Sequence, residues 1–365
     1  MKITALIQAA VKYKASDLYL IGDSVPYLRV DSVVIPVNCP PLSPDDVQEI
    51  VNTIVPQRLM PRLDQRRGVD VACEFTGLIR CRVIVFYERQ HLRVAMRLIP
   101  LEAPTVEGME LPPILKKIAG FQRGLVLVTG PTGAGKTTTL AAMLDYINTT
   151  RKFCITTIEN PIEFVYTNKK SIVFQREVLD DVENFNIGLI QALRQAPDVI
   201  LVGEMRDLET IRTAILAAEV GHMVFSTLHT TTAVQTVERI IAVFPEAEHG
   251  VVRDQLGTCL RAVVTQNLVR RAAGKGRIAA MEILISNATI EKLIREYQLS
   301  DIFEVIKTGE EGMQTFDQAL AQLTRTKSIT VEEAEANARD VFAYRRHLQG
   351  AVSSRDAGGI VGAFE

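Results

Sequence analysis

The spacing of apolar residues differs between the N-terminal part of the chain and the rest. Over residues 1–98, short apolar runs are separated by turn residues, and two stretches carry apolar residues at helical spacing. In the second of these, "SPDDVQEIVNTIV", Ser43 stands at the N-cap and Pro44 at the first helical position. This pattern predicts a small mixed α/β domain over residues 1–98.

Farther along, the apolar runs are longer and alternate with segments of helical spacing. Four of them read "GLVLVTG", "CITTIE", "VILVGE" and "MVFSTLH". This alternation predicts a parallel sheet with helices on both faces, in an α/β core over residues 114–286. The proline-rich stretch before it predicts a linker over 99–113. After the core we expect a helical extension over 287–348 and a disordered tail over 349–365.

One basic stretch, "VVRDQLGTCLRAVVTQNLVRR", is predicted to be a helix. Its arginines, Arg261, Arg270 and Arg271, are expected to contact an adjacent subunit. Contact with nucleic-acid phosphates is the alternative interpretation. The whole chain of 365 residues has a net charge of only -2, and this balance argues against a dedicated nucleic-acid binder.

Cysteine usage and hydropathy indicate the compartment. The five cysteines include no CxxC pair, which is typical of reduced thiols in the cytoplasm. The N-terminus lacks the features of a secretory signal, and no apolar run is long enough to span a bilayer. We therefore expect a cytoplasmic protein whose association with a membrane depends on partners.

The stretch "LVLVTGPTGAGKTTTL" places G-x-x-x-x-G-K-T between a predicted strand and a predicted helix, which is the Walker A phosphate loop in its required context. Glycines let the backbone N–H groups face phosphates, Lys136 is expected to reach the β- and γ-phosphates of ATP, and Thr137 to bind Mg²⁺. The predicted nucleotide-binding residues are Gly130, Pro131, Thr132, Gly133, Ala134, Gly135, Lys136, Thr137 and Thr138.

Polar residues follow two other predicted strands. Glu204 comes after "DVILV", where a carboxylate would face the phosphates and hold Mg²⁺ through water or orient the attacking water. The alternative is an acid without this role, because many parallel strands end in an acid. His222 and His229 stand on either side of "MVFSTL". They are either hydrogen-bonded residues at strand ends or sensors of the γ-phosphate or of a neighbouring subunit.

The stretch "TIENPIEF" sets Glu159 and Glu163 four residues apart, with Asn160 and Pro161 between them. One interpretation is a strand end and a turn whose acids lie in solvent. The other is that one of these acids takes part in catalysis. The stretch itself does not decide between them.

Several motifs together resemble one family. "LRQAPDVILVGEMRD" is similar to the signature of the secretion-ATPase superfamily, the hexameric motors of type IV pili and type II secretion. "TIENPIEF" resembles the Asp box of that family and "GHMVFSTLHT" its His box, in the same order after Walker A. "AMEILISNATIEKLIRE" and "GMQTFDQAL" resemble C-terminal motifs of the pilus-retraction branch, PilT and PilU. The resemblance covers about residues 3–345 and implies a RecA-like ATPase with an N-terminal PAS-like domain.

The resemblance also implies roles for individual residues. Glu163 would activate the attacking water, with Glu159 nearby and Glu204 supporting Mg²⁺ or that water. Arg82 and Arg97 match arginines that reach the nucleotide from the N-terminal strands, and solvated strand charges are the alternative. Such arginines would compensate charge on the γ-phosphate.

The sequence departs from the Asp box at one position, because Asn160 replaces an Asp. Asn160 keeps hydrogen-bonding capacity but carries no charge. This change leaves open a slow ATPase or an accessory subunit that depends on a more active paralogue.

The assembly and secretion ATPases of this superfamily usually carry a long extra N-terminal region and a four-cysteine zinc insertion. This sequence shows neither feature, which favours pilus retraction. An assembly or secretion ATPase remains the alternative. "LRQAPDV" favours the PilU-like paralogues, with PilT still open. The partners implied are five further copies in a homo-hexamer, an inner-membrane pilus platform protein and a paralogous retraction ATPase. The protein would then be cytoplasmic and peripheral at the inner membrane. A nucleic-acid translocase is the least favoured alternative.

Overall fold

The computed structural model describes residues 3–30, 33–99 and 101–350. The chain divides into two compact units. Unit 1 comprises Met1–Ala103 together with Asn160–Tyr166, and unit 2 comprises Pro104–Glu159 and Thr167–Glu365.

The described residues of unit 1 form three α-helices and six strands. They are α1 (Ile3–Lys12), β1 (Asp17–Ile21), β2 (Tyr27–Val30), β3 (Val33–Pro36), α2 (Pro44–Ile54), α3 (Met60–Arg66), β4 (Gly68–Phe75), β5 (Ile79–Glu88) and β6 (His91–Ile99). The strands form one antiparallel sheet in the order β3-β2-β1-β6-β5-β4.

Alternation along the strands gives this sheet two different faces. Apolar residues of one face, among them Leu18, Val83 and Met96, are buried with residues of the three helices. The other face carries charged residues such as Arg82 and Arg97. The predicted start of α2 is confirmed, because the Ser43 hydroxyl accepts a hydrogen bond from the Asp46 N–H and Pro44 is the first helical residue.

Unit 2 contains a seven-stranded sheet and most of the helices. Its core elements are α4 (Ile114–Ala119), β7 (Gly124–Thr129), α5 (Lys136–Thr150), β8 (Cys154–Glu159), β9 (Ile172–Glu177), α6 (Phe185–Leu193), β10 (Val199–Val202), α7 (Leu208–Glu219), β11 (Met223–Leu228), α8 (Ala233–Val243), α9 (His249–Cys259), β12 (Leu260–Arg270) and β13 (Arg277–Ile285). Five helices follow: α10 (Ala288–Arg295), α11 (Ile302–Lys307), α12 (Phe316–Arg325), α13 (Val331–Asn337) and α14 (Val341–Leu348).

The strand order of this sheet, β13-β12-β7-β11-β10-β8-β9, positions the functional residues. All neighbouring strands are parallel except β12 and β13. β7, β10 and β11 are buried along their whole length, as the continuous apolar runs predict for a covered parallel sheet. The α/β class is confirmed. The carboxyl ends of β7, β11, β10 and β8 meet at one edge, where ligands bind in such sheets.

The prediction of a basic helix over residues 251–271 is wrong in its second half. Helix α9 ends at Cys259, and β12 begins at Leu260 and lies in the sheet between β7 and β13. The β-branched run Val263–Thr265 suits this buried strand, because its side chains pack well on a pleated surface. Pairing with β7 and β13 decided the structure here, and helical spacing did not.

The two units differ from the predicted boundaries in three respects. Unit 1 extends to Ala103, and the seven residues Asn160–Tyr166 belong to it although they follow β8 in sequence. Within the predicted linker, Val106 and Leu111 are buried. The helical extension groups with the α/β core in unit 2, and Phe316 and Leu320 of α12 share a core cluster with Val269 and Ile278.

Two further expectations concern the tail and membrane insertion. The predicted tail lies almost wholly outside the described residues. Among the residues that are described, no helix is both long and apolar enough to cross a membrane.

Candidate functional site

The phosphate loop connects β7 to α5 in a conformation that its glycines permit. Gly130, Gly133 and Gly135 have φ angles of +139°, +81° and +85°, a region that residues with a Cβ rarely adopt. A Cβ at Gly133 would meet no atom within 4 Å. Glycine is therefore required at position 133 because of its φ angle, and not because a larger side chain would clash with a neighbour. Helix α5 begins at Lys136, directly after the loop, so its N-terminal N–H groups are available to an anion.

Gln266 of β12 lies against this loop, and the sequence motifs gave no indication of it. A Cβ at Gly130 would stand 2.2 Å from the backbone oxygen of Gln266, so only glycine fits there. The Gln266 side chain is 1% exposed and its Nε2 donates a hydrogen bond to the carbonyl oxygen of Ala134. Its Oε1 has no hydrogen-bond partner among the described residues. Gln266 therefore supports the loop from the neighbouring strand.

Lys136 donates hydrogen bonds to carbonyl oxygens of its own loop, at 2.8 Å to Gly130 and 3.1 Å to Pro131. Burial lowers the pKa of the Lys136 ammonium, and the Glu204 carboxylate opposes this effect. These acceptors are neutral, and a phosphate oxygen is a stronger partner for an ammonium group. Lys136 is thus placed to transfer to a bound polyphosphate.

Glu204 and His229 converge on Lys136 from the ends of β10 and β11. Lys136 Nζ lies 3.5 Å from His229 Nδ1, and His229 Nε2 lies 3.9 Å from Glu204 Oε2. Burial and the charge of Lys136 lower the pKa of His229, so the ring is neutral at pH 7. A proton on Nε2 suits this arrangement, because Nδ1 then accepts from Lys136 and Nε2–H faces the Glu204 carboxylate.

Arg206 is a second residue that the sequence motifs did not single out. Its Nε lies 2.7 Å from Glu204 Oε2, and its side chain is 71% exposed. The position two residues after Glu204, beyond the end of β10, was the only sequence signal available. Glu204 therefore already holds a cationic partner on the side open to solvent.

The two histidines of "GHMVFSTLHT" lie at opposite ends of β11. His222 precedes the strand, and its Nδ1 lies 2.7 Å from the carbonyl oxygen of Pro197. A six-residue strand separates it from His229 by roughly 20 Å. His222 therefore does not join Lys136 and Glu204 within this chain, and the expectation that it senses the γ-phosphate bound here is corrected. Contact with a neighbouring subunit stays a prediction.

Glu159 ends β8 at the same edge of the sheet, but it is buried. Its side chain is 6% exposed and accepts hydrogen bonds from Thr157 Oγ1 at 2.7 Å and Gln175 Nε2 at 3.3 Å. A Cβ at Gly203 would lie 3.5 Å from the Glu159 Cα, which shows how closely the ends of β8 and β10 approach. Glu159 is thus a supporting residue behind the edge, with β10 and β11 between its strand and the phosphate loop.

Unit 1 contains the remaining predicted site residues. Arg82 and Arg97 are directly opposite each other on β5 and β6, so their side chains leave the same face. Arg82 Nη2 lies 2.9 Å from Asp70 Oδ2, and its Nη1 lies 3.8 Å from Glu163 Oε1. Arg97 Nε lies 3.3 Å from Asp17 Oδ1. Both arginines are therefore ion-paired and not merely solvated.

The segment that carries Glu163 is bound to β5. Arg80 Nε donates a hydrogen bond of 3.1 Å to the carbonyl oxygen of Ile162, the residue before Glu163. The structure thus brings Glu163 together with Arg82 in unit 1, whereas Lys136, Glu204 and His229 converge in unit 2. The two acids of "TIENPIEF" belong to different units, and neither is a simple solvent-exposed acid.

An ion pair between a buried carboxylate and a partly exposed arginine stabilises the loop that follows His229. Glu282 of β13 is 1% exposed, accepts a hydrogen bond of 2.7 Å from the Ala233 N–H at the start of α8, and pairs with Arg339. Arg339 also donates to the carbonyl oxygen of Thr231. The segment between α13 and α14 is thereby linked to residues 231–233, immediately after His229.

The donor set of unit 2 fits Mg²⁺ that arrives with a nucleotide. The Thr137 hydroxyl, in the first turn of α5, and the Glu204 carboxylate supply oxygen, which Mg²⁺ prefers. Among the described residues no group of three or more His, Cys, Asp or Glu side chains forms a metal cage. Mg²⁺ typically binds to one or two protein groups together with phosphates and water, so this donor set is adequate.

Comparisons with known proteins agree over nearly the whole chain. Residues 2–341 match the family described as "Type II/IV secretion system protein". The chain is 44% identical over 340 residues to the "Type IV pilus retractation ATPase PilT" of Pseudomonas aeruginosa, covering 93% of this chain and 98% of that protein. It is 40% identical over 339 residues to the "Type IV pilus ATPase PilU" of the same organism, covering 93% and 89%.

A solved structure supports the same relationship. The structure described as "Crystal Structure of the Pilus Retraction Motor PilT and Bound ADP" has a TM-score of 0.87 and 40% sequence identity, covering 95% of this chain and 99% of that one. Identity is somewhat higher to PilT than to PilU, although the segment "LRQAPDV" favoured PilU-like proteins.

Proposed function

Because this chain belongs to the type II/IV secretion system protein family, we propose that it is a motor ATPase for type IV pilus retraction. Six copies form a ring on the cytoplasmic side of the inner membrane, bound to the pilus platform protein. Hydrolysis of Mg-ATP drives removal of pilin from the base of the fibre, which moves the cell by twitching. No nucleic acid takes part.

The observation that carries this proposal is the convergence at the edge of the parallel sheet. Lys136 lies 3.5 Å from His229, and His229 lies 3.9 Å from Glu204, beside a loop whose glycines expose backbone N–H groups. Phosphoryl transfer requires positioning and compensation of charge more than covalent chemistry. The loop N–H groups, Lys136, His229 and Glu204 are arranged to position the phosphates and to compensate their charge.

In unit 2 the residues bind and orient the nucleotide. The loop N–H groups and the start of α5 bind the phosphates, and Lys136 exchanges its carbonyl partners for β- and γ-phosphate oxygens. Thr137 and, through water, Glu204 would hold Mg²⁺, which would supply positive charge to neutralise that developing on the phosphates. The Nε2–H of neutral His229 faces the Glu204 carboxylate, 3.9 Å away, and its dipole helps to orient that carboxylate.

In unit 1 the Glu163 carboxylate orients and deprotonates the attacking water. Arg82, 3.8 Å from Glu163, supplies positive charge to the γ-phosphate during transfer, and Arg97 supports it on the adjacent strand. Glu163 and Arg82 belong to unit 1, and Lys136 belongs to unit 2.

The test is steady-state ATP turnover of the purified protein with Mg²⁺, compared with Lys136→Ala. We expect measurable turnover that the lysine change abolishes. Light scattering with nucleotide tests the ring, and a strict monomer at micromolar concentration would contradict it. Fibres that accumulate unretracted in a deletion strain support retraction, whereas complete loss of fibres supports an assembly or secretion ATPase.

Asn160 favours a second candidate function, that of an accessory subunit of a paralogous retraction ATPase. It replaces the acid that the Asp box carries at this position, which removes one negative charge between Glu159 and Glu163. Absence of turnover in the natural chain, restored by Asn160→Asp, would establish the accessory role. Turnover without that change, lost in Lys136→Ala, would establish an autonomous motor.

A further inference from the structure

Two of the five cysteines, Cys73 and Cys81, lie directly opposite each other on neighbouring strands. β4 and β5 are antiparallel, and their register pairs Cys73 with Cys81. Residues opposite in an antiparallel pair have Cα atoms about 4.5 Å or about 5.5 Å apart, and their side chains leave the same face of the sheet. Both values lie within the range of roughly 4.4–6.8 Å that disulfides span. The register therefore gives the two cysteines a Cα spacing that permits a bond between their sulfurs.

From this geometry we infer that Cys73 and Cys81 are a thiol-redox site that forms a reversible intramolecular disulfide. Both cysteines are free thiols in the structure. The co-reactant is a low-molecular-weight disulfide, such as glutathione disulfide.

No other two cysteines of the described residues face each other on paired strands, because Cys39, Cys154 and Cys259 have no cysteine opposite them.

The surroundings of the two sulfurs assign them different roles. Cys73 is partly exposed on β4, the last strand of the described sheet, whereas Cys81 is fully buried. A hydrogen bond from the Cys81 thiol and the charge of Arg80 lower the pKa of Cys73, and the same hydrogen bond raises the pKa of Cys81. Thiolates are the attacking species, so Cys73 reacts first and Cys81 second.

The pKa values of the other three thiols are shifted in the direction opposite to that of Cys73. Burial raises the pKa of Cys39 and of Cys154, and it raises the pKa of Cys259 to about 12. They are therefore poorer nucleophiles at neutral pH, and Cys39 and Cys154 are suitable internal controls because they are also partly exposed.

The reaction balances in two exchange steps. The Cys73 thiolate attacks one sulfur of glutathione disulfide, a protein–glutathione bond forms, and one glutathione leaves as a thiolate that takes up a proton. Cys81 then loses its proton and attacks the Cys73 sulfur, which expels the second glutathione. The protein loses two electrons and two protons, and the small disulfide is reduced to two thiols. Excess dithiol reverses both steps.

Peptide mapping of the folded chain tests this inference. Protein freed of reductant is incubated with glutathione disulfide, remaining thiols are alkylated, and the chain is cut with trypsin after Arg67, Arg80 and Arg82. We expect a disulfide between the peptide of residues 68–80 and the peptide of residues 81–82. This disulfide should form at least about ten times faster than Cys39 or Cys154 reacts with glutathione disulfide. Dithiothreitol should remove the link.

Two variants separate the steps. In Cys81→Ser the reaction should stop with glutathione attached to Cys73, and in Cys73→Ser residue Cys81 should stay unreacted until the protein is unfolded. Glutathione that remains on Cys73 of the natural chain, a bond between two chains, or equal reaction rates at Cys39 and Cys73 would each overturn the inference. Mapping of the natural chain distinguishes these outcomes even when a variant does not fold.

Discussion

Gln266 Nε2 donates a hydrogen bond to the carbonyl oxygen of Ala134, so a side chain of β12 supports the phosphate loop that begins after β7. The same residue's backbone oxygen would stand 2.2 Å from a Cβ at Gly130. The loop is therefore confined by a strand from a distant part of the sequence. Its conformation depends on β12 as well as on its own glycines.

We predict that Gln266→Met weakens nucleotide binding. The variant keeps the length of the side chain but loses the donor to Ala134, a change of about 1 kcal/mol or roughly fivefold in affinity. Fluorescence titration with an ATP analogue measures it, and turnover at saturating ATP should change less than the affinity does.

Asn267→Ala is the matched control for this prediction. Asn267 is the next residue of β12, and its Oδ1 accepts a hydrogen bond from the Leu268 N–H. Its loss should leave the affinity within about twofold. Equal affinities of Gln266→Met and the natural chain would contradict support of the loop by Gln266.

The pH dependence of turnover should report His229. Its pKa is lowered from the ordinary 6.5, first by burial and then by Lys136, with Arg206 acting in the same direction and Glu204 against it. The ring is neutral above pH 6.5. As the pH falls through the lowered pKa, the ring gains charge beside Lys136 and loses the Nδ1 acceptor, so turnover should fall on the acid side.

The measurement is turnover at saturating ATP between pH 5.5 and pH 8, for the natural chain and for His229→Gln. The variant has no group that titrates at this position. Its turnover should therefore lack the fall at acid pH that we assign to protonation of His229. Turnover that rises as the pH falls from 7 towards 6 would show that charged His229 is the active form.

Arg82→Ala should lower kcat strongly and change KM only slightly. An arginine that compensates charge only in the transition state of phosphoryl transfer contributes about 10³–10⁵-fold to kcat, so its loss should lower kcat by a factor of this order and leave KM within about threefold. Arg82→Lys should recover little, because lysine lacks the fork that contacts Asp70 and Glu163 together.

Arg93→Ala is the control on the same sheet, since Arg93 pairs with the exposed Glu88 at 2.8 Å. It should have turnover close to that of the natural chain. Equal losses in Arg82→Ala and Arg93→Ala would mean that the ion pair of Arg82 with Asp70 is structural only.

Removal of Arg339 should destabilise the protein through Glu282. Arg339→Met leaves a carboxylate that is 1% exposed without its cationic partner, and breaking such a pair costs about 3–5 kcal/mol. Urea unfolding measures this loss. Addition of Glu282→Gln should restore part of the stability, because the uncompensated charge is then absent.

The control for this pair is Arg345→Met. Arg345 pairs with Glu335 at 2.7 Å on the surface, where its side chain is 56% exposed. An exposed pair contributes little to stability, so the unfolding midpoint should move little. A similar loss in both variants would refute the importance of burial at Glu282.

The sequence alone determined the features that depend on neighbouring residues in the chain. Strand β7, the phosphate loop and α5 are contiguous, and the loop's glycines and Lys136 follow one another, so a local motif sufficed. The long apolar runs predicted the parallel strands, because a strand covered on both faces lacks the alternation of apolar and polar positions. The capped start of α2 at Ser43 is equally local.

The tertiary structure decided what depends on strand order and direction. Gln266 reaches Ala134 because β12 lies beside β7, although 132 residues separate them. Strand direction separates His229, which faces Lys136, from His222 at the opposite end of β11. Pairing between strands also made β12 from a segment with helical spacing, and contact with β5 placed Glu163 with unit 1. These features depend on contacts between residues that are far apart in the sequence, and a local pattern of residues does not encode such contacts.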